Sequence, residues 1–322
     1  MKEFYAHGKL LLTGEYAITQ GATGLAVPTT LGQKMHVRSF DSPNIHWQAY
    51  TVQGECWLDV LLSSQLEIVK TDQPKEAQHL VKQLQIVAAN SDKLTGGLHF
   101  ETHLEFDRSW GLGSSSTFTS LLAQFANLDP LDFFHEAHGG SGYDLVCASA
   151  AGPILYRIEK GSAEATPVWW SADFGDDLAF VFSGKKQLTS ESLALVQKQP
   201  FNPQQIDEIN ALTSAFINAS TMERIESVMR EHEQLIGGHL GLLPVSEHLF
   251  KGYNGAVKSL GGWGGDFVLV TRYSKNQQWL KENGFEHVLP LRTLAMLLVG
   301  RSQIFVMDEL KLLFLLYLLI LK

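Results

Sequence analysis

The segment from residue 97 to residue 126 constrains the fold of this chain more than any other. Apolar side chains alternate between Gly97 and Phe106, and this period of two predicts a half-buried strand. The residues RSWGLGSSSTFTSLLAQFANLD follow directly and lead from a Gly/Ser loop into an apolar helical pattern. We therefore expect a strand, a tight loop and a buried helix whose first turn is capped by a serine.

The loop GLGSSS at 111–116 has the composition of a phosphate site. The first N–H groups of a helix have no partner within the helix, and the helix dipole favours negative charge beside them. Glycines let the backbone approach a phosphate closely, and hydroxyls can bind Mg²⁺ or a phosphate oxygen. An ordinary capped helix would give the same pattern, and the chain lacks the GxxxxGK[ST] sequence of a P-loop.

The charge of the chain limits its partners. There are 25 Lys and Arg residues against 34 Asp and Glu, a formal charge of -9, which gives no hint of the basic face that a nucleic-acid binder needs. A hydrophobic fraction of 45% is typical of a folded soluble protein. Two cysteines exclude a disulfide scaffold, and the N-terminus lacks a signal-peptide pattern. We expect a cytoplasmic protein without a membrane partner.

Two charged residues stand out near Gly-rich segments. Asp144 follows the loop AHGGSGY at 137–143, where a carboxylate could accept a proton from a hydroxyl or hold a metal; a turn Asp that bonds its own backbone is the alternative. Lys9 lies in an apolar strand pattern after Gly8. A lysine so placed needs an anionic partner, unless its ammonium group simply reaches the surface.

The second half has two amphipathic helical patterns, at 203–217 and 221–236. Ser220 and Glu223 fit a capping box for the second, and Gly237 and Gly238 fit its end. A third Gly-rich loop, KSLGGWGGDF at 258–267, runs into a strand pattern. The apolar run at 312–321 is about half the ~20 residues needed to span a bilayer.

Three separated segments together resemble the motifs of the GHMP kinases, which include galactokinase, homoserine kinase, mevalonate kinase and phosphomevalonate kinase. FYAHGKLLLTGEYAITQGATGLAVPT at 4–29 resembles the first motif, WGLGSSSTFTSLLA at 110–123 the second, and KSLGGWGGDFVLV at 258–270 the third. The resemblance covers roughly residues 1–296. GGSGYDLVCA looks closest to a bacterial mevalonate-kinase-like subgroup with a Gly-Tyr-Asp segment.

The resemblance implies a two-domain α+β fold whose N-terminal half has a ribosomal-protein-like βαβ core. We expect an N-terminal domain at 1–155, a C-terminal α+β domain at 156–298 and an atypical apolar tail at 299–322. The resemblance also implies ATP and Mg²⁺ as cofactors, with phosphoryl transfer to a small hydroxylated substrate of the mevalonate pathway. The enzyme would be a monomer or a homodimer.

The resemblance assigns site residues by position. Asp144 matches the catalytic base, Lys9 the lysine that polarises the substrate hydroxyl, and Ser115 the serine that ligates Mg²⁺. The remaining matches are the triphosphate loop, Gly111, Leu112, Gly113, Ser114, Ser115 and Ser116, and the substrate contacts, Glu15, Tyr16, Ser141, Gly142, Gly261, Gly262, Gly264 and Gly265.

Two departures from the mevalonate-kinase motifs leave alternative functions open. Tyr16 stands where mevalonate kinases usually have His, and Gly-Glu-Tyr is closer to phosphomevalonate kinases. The acidic Mg²⁺ ligand of mevalonate kinases has no match in register, although Asp132 and Glu136 are near. The alternatives are a phosphomevalonate kinase or sugar kinase, a diphosphomevalonate decarboxylase, against which the Gly-Tyr-Asp segment counts, and a non-catalytic nucleotide-binding module.

Overall fold

The structure is a computed structural model that describes residues 1–137, 140–159, 161–170, 174–184, 199–263 and 266–297. It has the mixed α+β fold expected from the sequence, built on two sheets. The strands in these ranges are β1 Lys2–Leu11, β2 Gly24–Ser39, β3 Ile45–Tyr50, β4 Cys56–Leu62, β5 Ile68–Thr71, β6 Leu98–Leu104, β7 Ile154–Glu159, β8 Ser162–Pro167, β9 Ala179–Phe182, β10 Val257–Ser259, β11 Phe267–Val270 and β12 Val288–Pro290. The α-helices there are α1 Pro74–Asn90, α2 Ser114–Ala126, α3 Pro130–Ala137, α4 Tyr143–Ala148, α5 Pro203–Ile217, α6 Met222–Leu240, α7 Tyr273–Glu282 and α8 Leu291–Leu294.

The larger sheet has the strand order β5-β4-β3-β6-β2-β7-β8, with β1 paired to β2 beside this path. Strand β3 runs parallel to β6, whereas the other pairs are antiparallel. One face packs against α1 and α2 through a buried apolar cluster that includes Trp47, Phe100, Leu84 and Leu122. The alternation predicted for 97–106 is confirmed in β6, where Phe100 and Leu104 are buried and Glu101 and His103 lie on the other face.

The first motif contains β1, a 3-10 turn and the first residues of β2. The apolar residues 4–18, with a break at Gly14, predict a strand, a turn and another strand. The second of these strands is wrong, because residues Ala17–Gln20 form a 3-10 turn and β2 begins only at Gly24. Gly14 has φ 82°, and a side chain there would collide with the backbone of Gly24. The chain therefore reverses tightly after β1 and brings residues 13–16 to the end of that strand.

The second motif forms the expected loop and helix, but the cap differs from the prediction. The N-cap of α2 is Gly113, with φ 89° and no side-chain hydrogen bond, while Ser114, Ser115 and Ser116 lie inside the first turn. A glycine adopts this left-handed conformation without steric cost, whereas a serine does not. Because no side chain caps this helix start, its first N–H groups stay available to a ligand.

The second sheet has the order β10-β11-β9-β12 among the described strands. Helix α5 has the predicted bounds, whereas α6 differs at both ends: Thr221, not Ser220, accepts the capping hydrogen bond, and the helix continues to Leu240 before Gly241 ends it. Because Gly237 within α6 has no side chain, the Trp263 ring packs directly against the helix backbone at that point.

The two halves share an apolar core. Leu10 of β1 and Val27 of β2 pack in one cluster with Phe180 of β9, Phe216 of α5 and Ile225 of α6.

The domain boundary predicted between 155 and 156 falls inside β7, and β8 still belongs to the larger sheet; a division after residue 167 keeps that sheet in one unit. In the described part of the chain, no helix is long and apolar enough to cross a membrane. The predicted tail at 299–322 lies outside the described residues.

Candidate active site

A cavity of about 380 Å³ lies where the three Gly-rich segments meet. Its walls come from the end of β1, the start of α2, the start of α4 and the loop between β10 and β11. The sequence-predicted residues among its lining are Lys9, Glu15, Tyr16, Gly111, Gly113, Ser114, Ser115, Ser116, Ser141, Asp144, Gly261 and Gly262. Segments more than 100 residues apart in the sequence thus form one site.

The loop before α2 presents both backbone and hydroxyl groups to this cavity. Gly111 has φ 69° and Gly113 has φ 89°, so two left-handed turns place the helix start at the cavity wall. The hydroxyl of Ser116 donates to the carbonyl of Gly113 at 3.1 Å. Ser115, in contrast, is exposed and faces the cavity, which leaves its oxygen accessible to a ligand.

Lys9 is fixed against this loop by its backbone and by its side chain. The register of β1 and β2 shifts between His7 and Lys9, and such a bulge redirects the following side chain. The backbone N–H of Lys9 donates to Leu112 O at 3.0 Å, and its ammonium group donates to Gly111 O at 3.3 Å. Lys9 therefore lies along the loop, with its charge at the cavity.

The ammonium group of Lys9 has three polar neighbours. Burial lowers the pKa of Lys9, but the interactions with Tyr143, Asp144 and Asp266 prevail and raise it above its ordinary value. The Lys9 nitrogen lies 5.5 Å from the centroid of the Tyr143 ring. Burial also raises the pKa of the Tyr143 hydroxyl to about 12 despite the nearby lysine. Lys9 is therefore a fixed positive charge at neutral pH.

Asp144 lies in the first turn of α4. The N-cap of this helix is Gly142, with φ 73° and no side-chain cap, and the Tyr156 hydroxyl donates to Ser141 O in the preceding loop. These contacts hold the loop so that the partly exposed Asp144 faces the same cavity as Lys9. The structure thus brings together the acid and the amine that the sequence predicts as partners.

Asp266 is a site residue that the sequence reasoning missed. Its carboxylate lies directly over Gly111, since a Cβ atom added to that glycine would be 2.5 Å from Asp266 Cγ. A Cβ atom at Gly261 would lie 3.6 Å from Asp266 Oδ2, so the carboxylate lies between Gly111 of the loop before α2 and Gly261 of the third Gly-rich loop. The available signal was an acidic residue that closes the segment LGGWGGD.

Glu15 lines the cavity, but its carboxylate is engaged in a buried ion pair. Lys258 of β10 donates to Glu15 Oε1, and neither side chain is exposed. Burial raises the pKa of Glu15 to about 7, although Lys258 opposes the shift. His232 of α6 accepts a hydrogen bond from Gly14 N at 3.1 Å, and burial together with Lys258 lowers its pKa well below the usual value. Glu15 is a structural anchor more than a group open to a substrate.

The third loop is anchored to the first motif. Tyr16, with φ 61°, accepts a hydrogen bond on its hydroxyl from Trp263 N at 2.8 Å. Trp263 is buried and packs against Gly237 of α6. Gly261 and Gly262 line the cavity, whereas Gly264 and Gly265 lie outside the described residues.

Some predicted residues do not face the cavity. The side chain of Leu112 is buried in the shared core, and Gly142 acts as the N-cap of α4; neither lines the cavity in the described part of the chain. Asp132 is exposed on α3. Glu136 faces α1, where Asn90 donates to it at 3.5 Å. These two acids therefore lie away from the site.

Comparisons with known proteins agree with this architecture. A mevalonate kinase from Methanococcus jannaschii matches with a TM-score of 0.67 and 15% identity over 89% of this chain and 96% of its own. A Streptococcus pneumoniae phosphomevalonate kinase in complex with phosphomevalonate and AMPPNP matches with a TM-score of 0.64 and 17% identity over 89% and 99%. A Lactococcus lactis galactokinase complexed with galactose gives 0.59 and 12% over 88% of each chain.

These similar structures are GHMP superfamily members, and the chain has their fold. No family model matches the sequence, and no curated protein sequence matches it significantly. Identities of 12–18% establish the fold and leave the reaction to be argued from the site.

Proposed function

We propose that this protein is an ATP-dependent small-molecule kinase that transfers the γ-phosphoryl group of ATP to a hydroxyl or phosphate of a mevalonate-pathway metabolite. One observation carries the proposal: a helix start without a side-chain cap, an exposed serine, a lysine and an aspartate all line one cavity. Phosphoryl transfer needs positioning and charge neutralisation more than covalent chemistry, and this set of groups supplies both.

Each group has a distinct role in the proposed reaction. The N–H groups at the start of α2 bind the phosphate oxygens of ATP, where the helix dipole favours negative charge. Asp144 orients the acceptor hydroxyl and takes its proton. Lys9, held against Gly111 O, neutralises the charge that develops between acceptor and phosphate. Ser141 and Tyr16 are at the wall where the acceptor would bind.

The oxygen donors of the cavity suit Mg²⁺, a hard cation that takes one or two carboxylates together with substrate phosphates. Three acidic side chains line the cavity within the described ranges, namely Glu15, Asp144 and Asp266. Because Glu15 is paired with Lys258 and Asp144 is assigned as base, we assign Ser115 and Asp266 to the metal. When bound with ATP, Mg²⁺ would neutralise phosphate charge.

The acceptor is proposed to be mevalonate or a close relative. The fold is shared with a mevalonate kinase and with a phosphomevalonate kinase bound to AMPPNP. Phosphomevalonate is the second candidate, because Tyr16 belongs to a Gly-Glu-Tyr segment that is closer to phosphomevalonate kinases. A sugar acceptor is the third, because a galactokinase shares the fold. A decarboxylase on the same fold and a non-catalytic nucleotide-binding protein remain the alternatives from other classes.

A coupled assay of ADP release distinguishes these functions. The purified chain with ATP and Mg²⁺ is given mevalonate, phosphomevalonate, diphosphomevalonate or galactose, and the product is identified by mass. A phosphorylated mevalonate or phosphomevalonate supports the proposal, whereas loss of CO₂ from diphosphomevalonate identifies a decarboxylase. Tight ATP binding without ADP release on any acceptor contradicts the kinase assignment.

A further inference from the structure

The face of the larger sheet that is turned away from α1 and α2 carries a row of imidazole and carboxylate groups. His36 of β2 is directly opposite Glu101 of β6, and His103 follows two residues later on the same strand. Since side chains separated by two residues share a sheet face, all three lie on that face. All three are partly exposed, and none of them lines the candidate active site.

These three side chains are close enough to share an ion. One ligand atom from each of His36, Glu101 and His103 lies within 4.8 Å of the others. Ligands on a tetrahedral Zn²⁺ with bonds of about 2.0–2.1 Å are separated by about 3.3 Å. Small side-chain rotations therefore bring the three donors into ligating positions without any movement of the paired strands.

The surroundings keep the two imidazoles oriented and available. His103 stacks on Tyr50 of β3, with ring centroids 4.7 Å apart and planes within 4°. Burial and the neighbouring His36 lower the pKa of His103, although Glu101 opposes the shift. A metal ligand needs the neutral imidazole with a free nitrogen lone pair, and the stacked Tyr50 ring fixes the plane in which the His103 nitrogens lie.

Carboxylates on either side of His36 strengthen the site. Glu3 of β1 is paired opposite His36, with Oε2 at 2.9 Å from His36 Nε2. Metal-bound histidines commonly give their second ring N–H to a carboxylate, which fixes the ring and raises its basicity. Arg38 contacts only Oε1 of Glu101, so the other carboxylate oxygen can turn to an ion.

We propose that His36, Glu101 and His103 form a binding site for one divalent transition-metal ion of the Zn²⁺, Ni²⁺ or Cu²⁺ class, with Glu3 as the supporting carboxylate. Two imidazoles and one carboxylate favour these ions over Mg²⁺ and Ca²⁺, which prefer oxygen ligands alone. The bound ion links β2 to β6, which are hydrogen-bonded neighbours within the sheet. It stabilises the folded chain, because the unfolded chain does not hold the three donors together.

The sheet offers a matched control for a test by substitution. His46 of β3 has the same exposed side-chain fraction as His36, 24%, and a similar carboxylate partner, Asp59, at 3.0 Å. It belongs to no group of three possible ligands in the described part of the chain. His36→Gln and His46→Gln therefore remove the same kind of histidine–carboxylate hydrogen bond, but only the first removes a ligand of the proposed site.

The experiment is a titration of the full chain, without a histidine tag, with Zn²⁺ followed by calorimetry and by the melting temperature. We expect one Zn²⁺ per chain, a higher melting temperature with Zn²⁺ but not with equal Mg²⁺, and at least about tenfold weaker binding in His36→Gln and His103→Gln. Binding in His46→Gln should match the wild type.

Equal Zn²⁺ affinity in the wild type and in His36→Gln, or equal losses in His36→Gln and His46→Gln, would overturn the proposal. Glu101→Gln is the second variant if a histidine variant fails to fold, as judged by circular dichroism without metal; it should also bind Zn²⁺ at least about tenfold more weakly. Because the readout is binding, the result is independent of any kinase activity.

Discussion

The ammonium group of Lys258 is hydrogen-bonded to the carboxylate of Glu15 in a position where neither side chain reaches solvent. Glu15 follows β1 in the first motif, and Lys258 lies in β10 at the beginning of the third Gly-rich segment. Glu233 of α6 is nearby and accepts from Ser259 N at 2.9 Å. A buried charge network thus fixes the third loop relative to the strand that carries Lys9.

Lys258→Met should destabilise the protein strongly. At pH 8, above the pKa of Glu15, removal of Lys258 leaves this buried carboxyl group either charged without a partner or forced to take up a proton, and such a loss costs about 3–5 kcal/mol. The free energy of unfolding from urea denaturation measures the loss. Lys251→Met is the control, because Lys251 is exposed; it should change stability by no more than about 0.5 kcal/mol.

The effect of Lys258→Met should also depend on pH. The pKa of Glu15 is already raised by burial to about 7, and loss of Lys258 raises it further. A raised pKa in the folded state means that stability is present at low pH and is lost as pH rises through that pKa. The difference in unfolding free energy between wild type and variant should therefore be larger at pH 8 than at pH 5. An equal difference at both values would contradict the assigned ion pair.

Asp144→Asn should fold normally and lose about 10²–10⁴-fold in turnover, because an amide cannot accept the proton of the acceptor hydroxyl. ATP affinity should change little. Steady-state ADP release and nucleotide titration give the two quantities, with Asp132→Asn as the control on exposed α3. Near-normal turnover in Asp144→Asn would remove this residue as the base.

Ser115→Ala should raise the Mg²⁺ concentration needed for half-maximal activity, since the variant lacks the hydroxyl that we assign to the metal. Ser114→Ala is the matched control, because it lies in the same helical turn and keeps its backbone N–H. The two Mg²⁺ titrations are compared at fixed ATP. Identical curves for Ser115→Ala and wild type would mean that another group ligates the ion.

Asp266→Asn should weaken binding of Mn²⁺, used as a spectroscopic substitute for Mg²⁺, by at least about tenfold in the presence of a non-hydrolysable ATP analogue. Electron paramagnetic resonance of free Mn²⁺ measures this without any turnover. Glu136→Gln should bind as the wild type does, because Glu136 faces α1. The reverse result, with loss only in Glu136→Gln, would reassign the acidic ligand to α3.

Gly111→Ala should disrupt the site by a direct collision. The new Cβ atom would lie 2.5 Å from Cγ of Asp266, at a residue with φ 69°. Gly96→Ala is the control for backbone strain alone, since Gly96 has φ 79° and nothing within 4 Å of its Cβ position. We expect each variant to lose about 1–3 kcal/mol from strain, and only Gly111→Ala to lose nucleotide affinity as well.

A second variant attributes that effect to the carboxylate. Asp266→Ala in the Gly111→Ala background removes the colliding atoms, so the melting temperature should partly recover towards that of Gly96→Ala. No recovery would show that the contact over Gly111 is not the cause of the defect.

The sequence predicted the local elements where one pattern dominated. The period of two in β6 and the amphipathic pattern of α5 gave correct elements because side-chain burial alone determines them. Residues 15–18 were misassigned to a strand because apolar content does not distinguish a strand from a buried 3-10 turn. The cap of α6 was displaced by one residue, since Ser220 and Thr221 offer the same chemistry.

The site was predictable only in part. Lys9, Ser115 and Asp144 were placed by motif resemblance, and the cavity contains all three. The pairing of Glu15 with Lys258 was not predictable, because their separation of 243 residues leaves no local signal. Asp266 was missed for a related reason: its position over Gly111 depends on how the second sheet packs against the first half.

The apolar cluster shared by β1, β2, β9, α5 and α6 has a consequence for how the chain unfolds. Neither half can melt alone without exposing the inner surface of the other to water, so thermal denaturation should follow a single transition reported alike by tryptophan fluorescence and circular dichroism. A fragment that ends after residue 167 would expose the apolar surface that the second half normally covers, and it should precipitate or self-associate when expressed by itself.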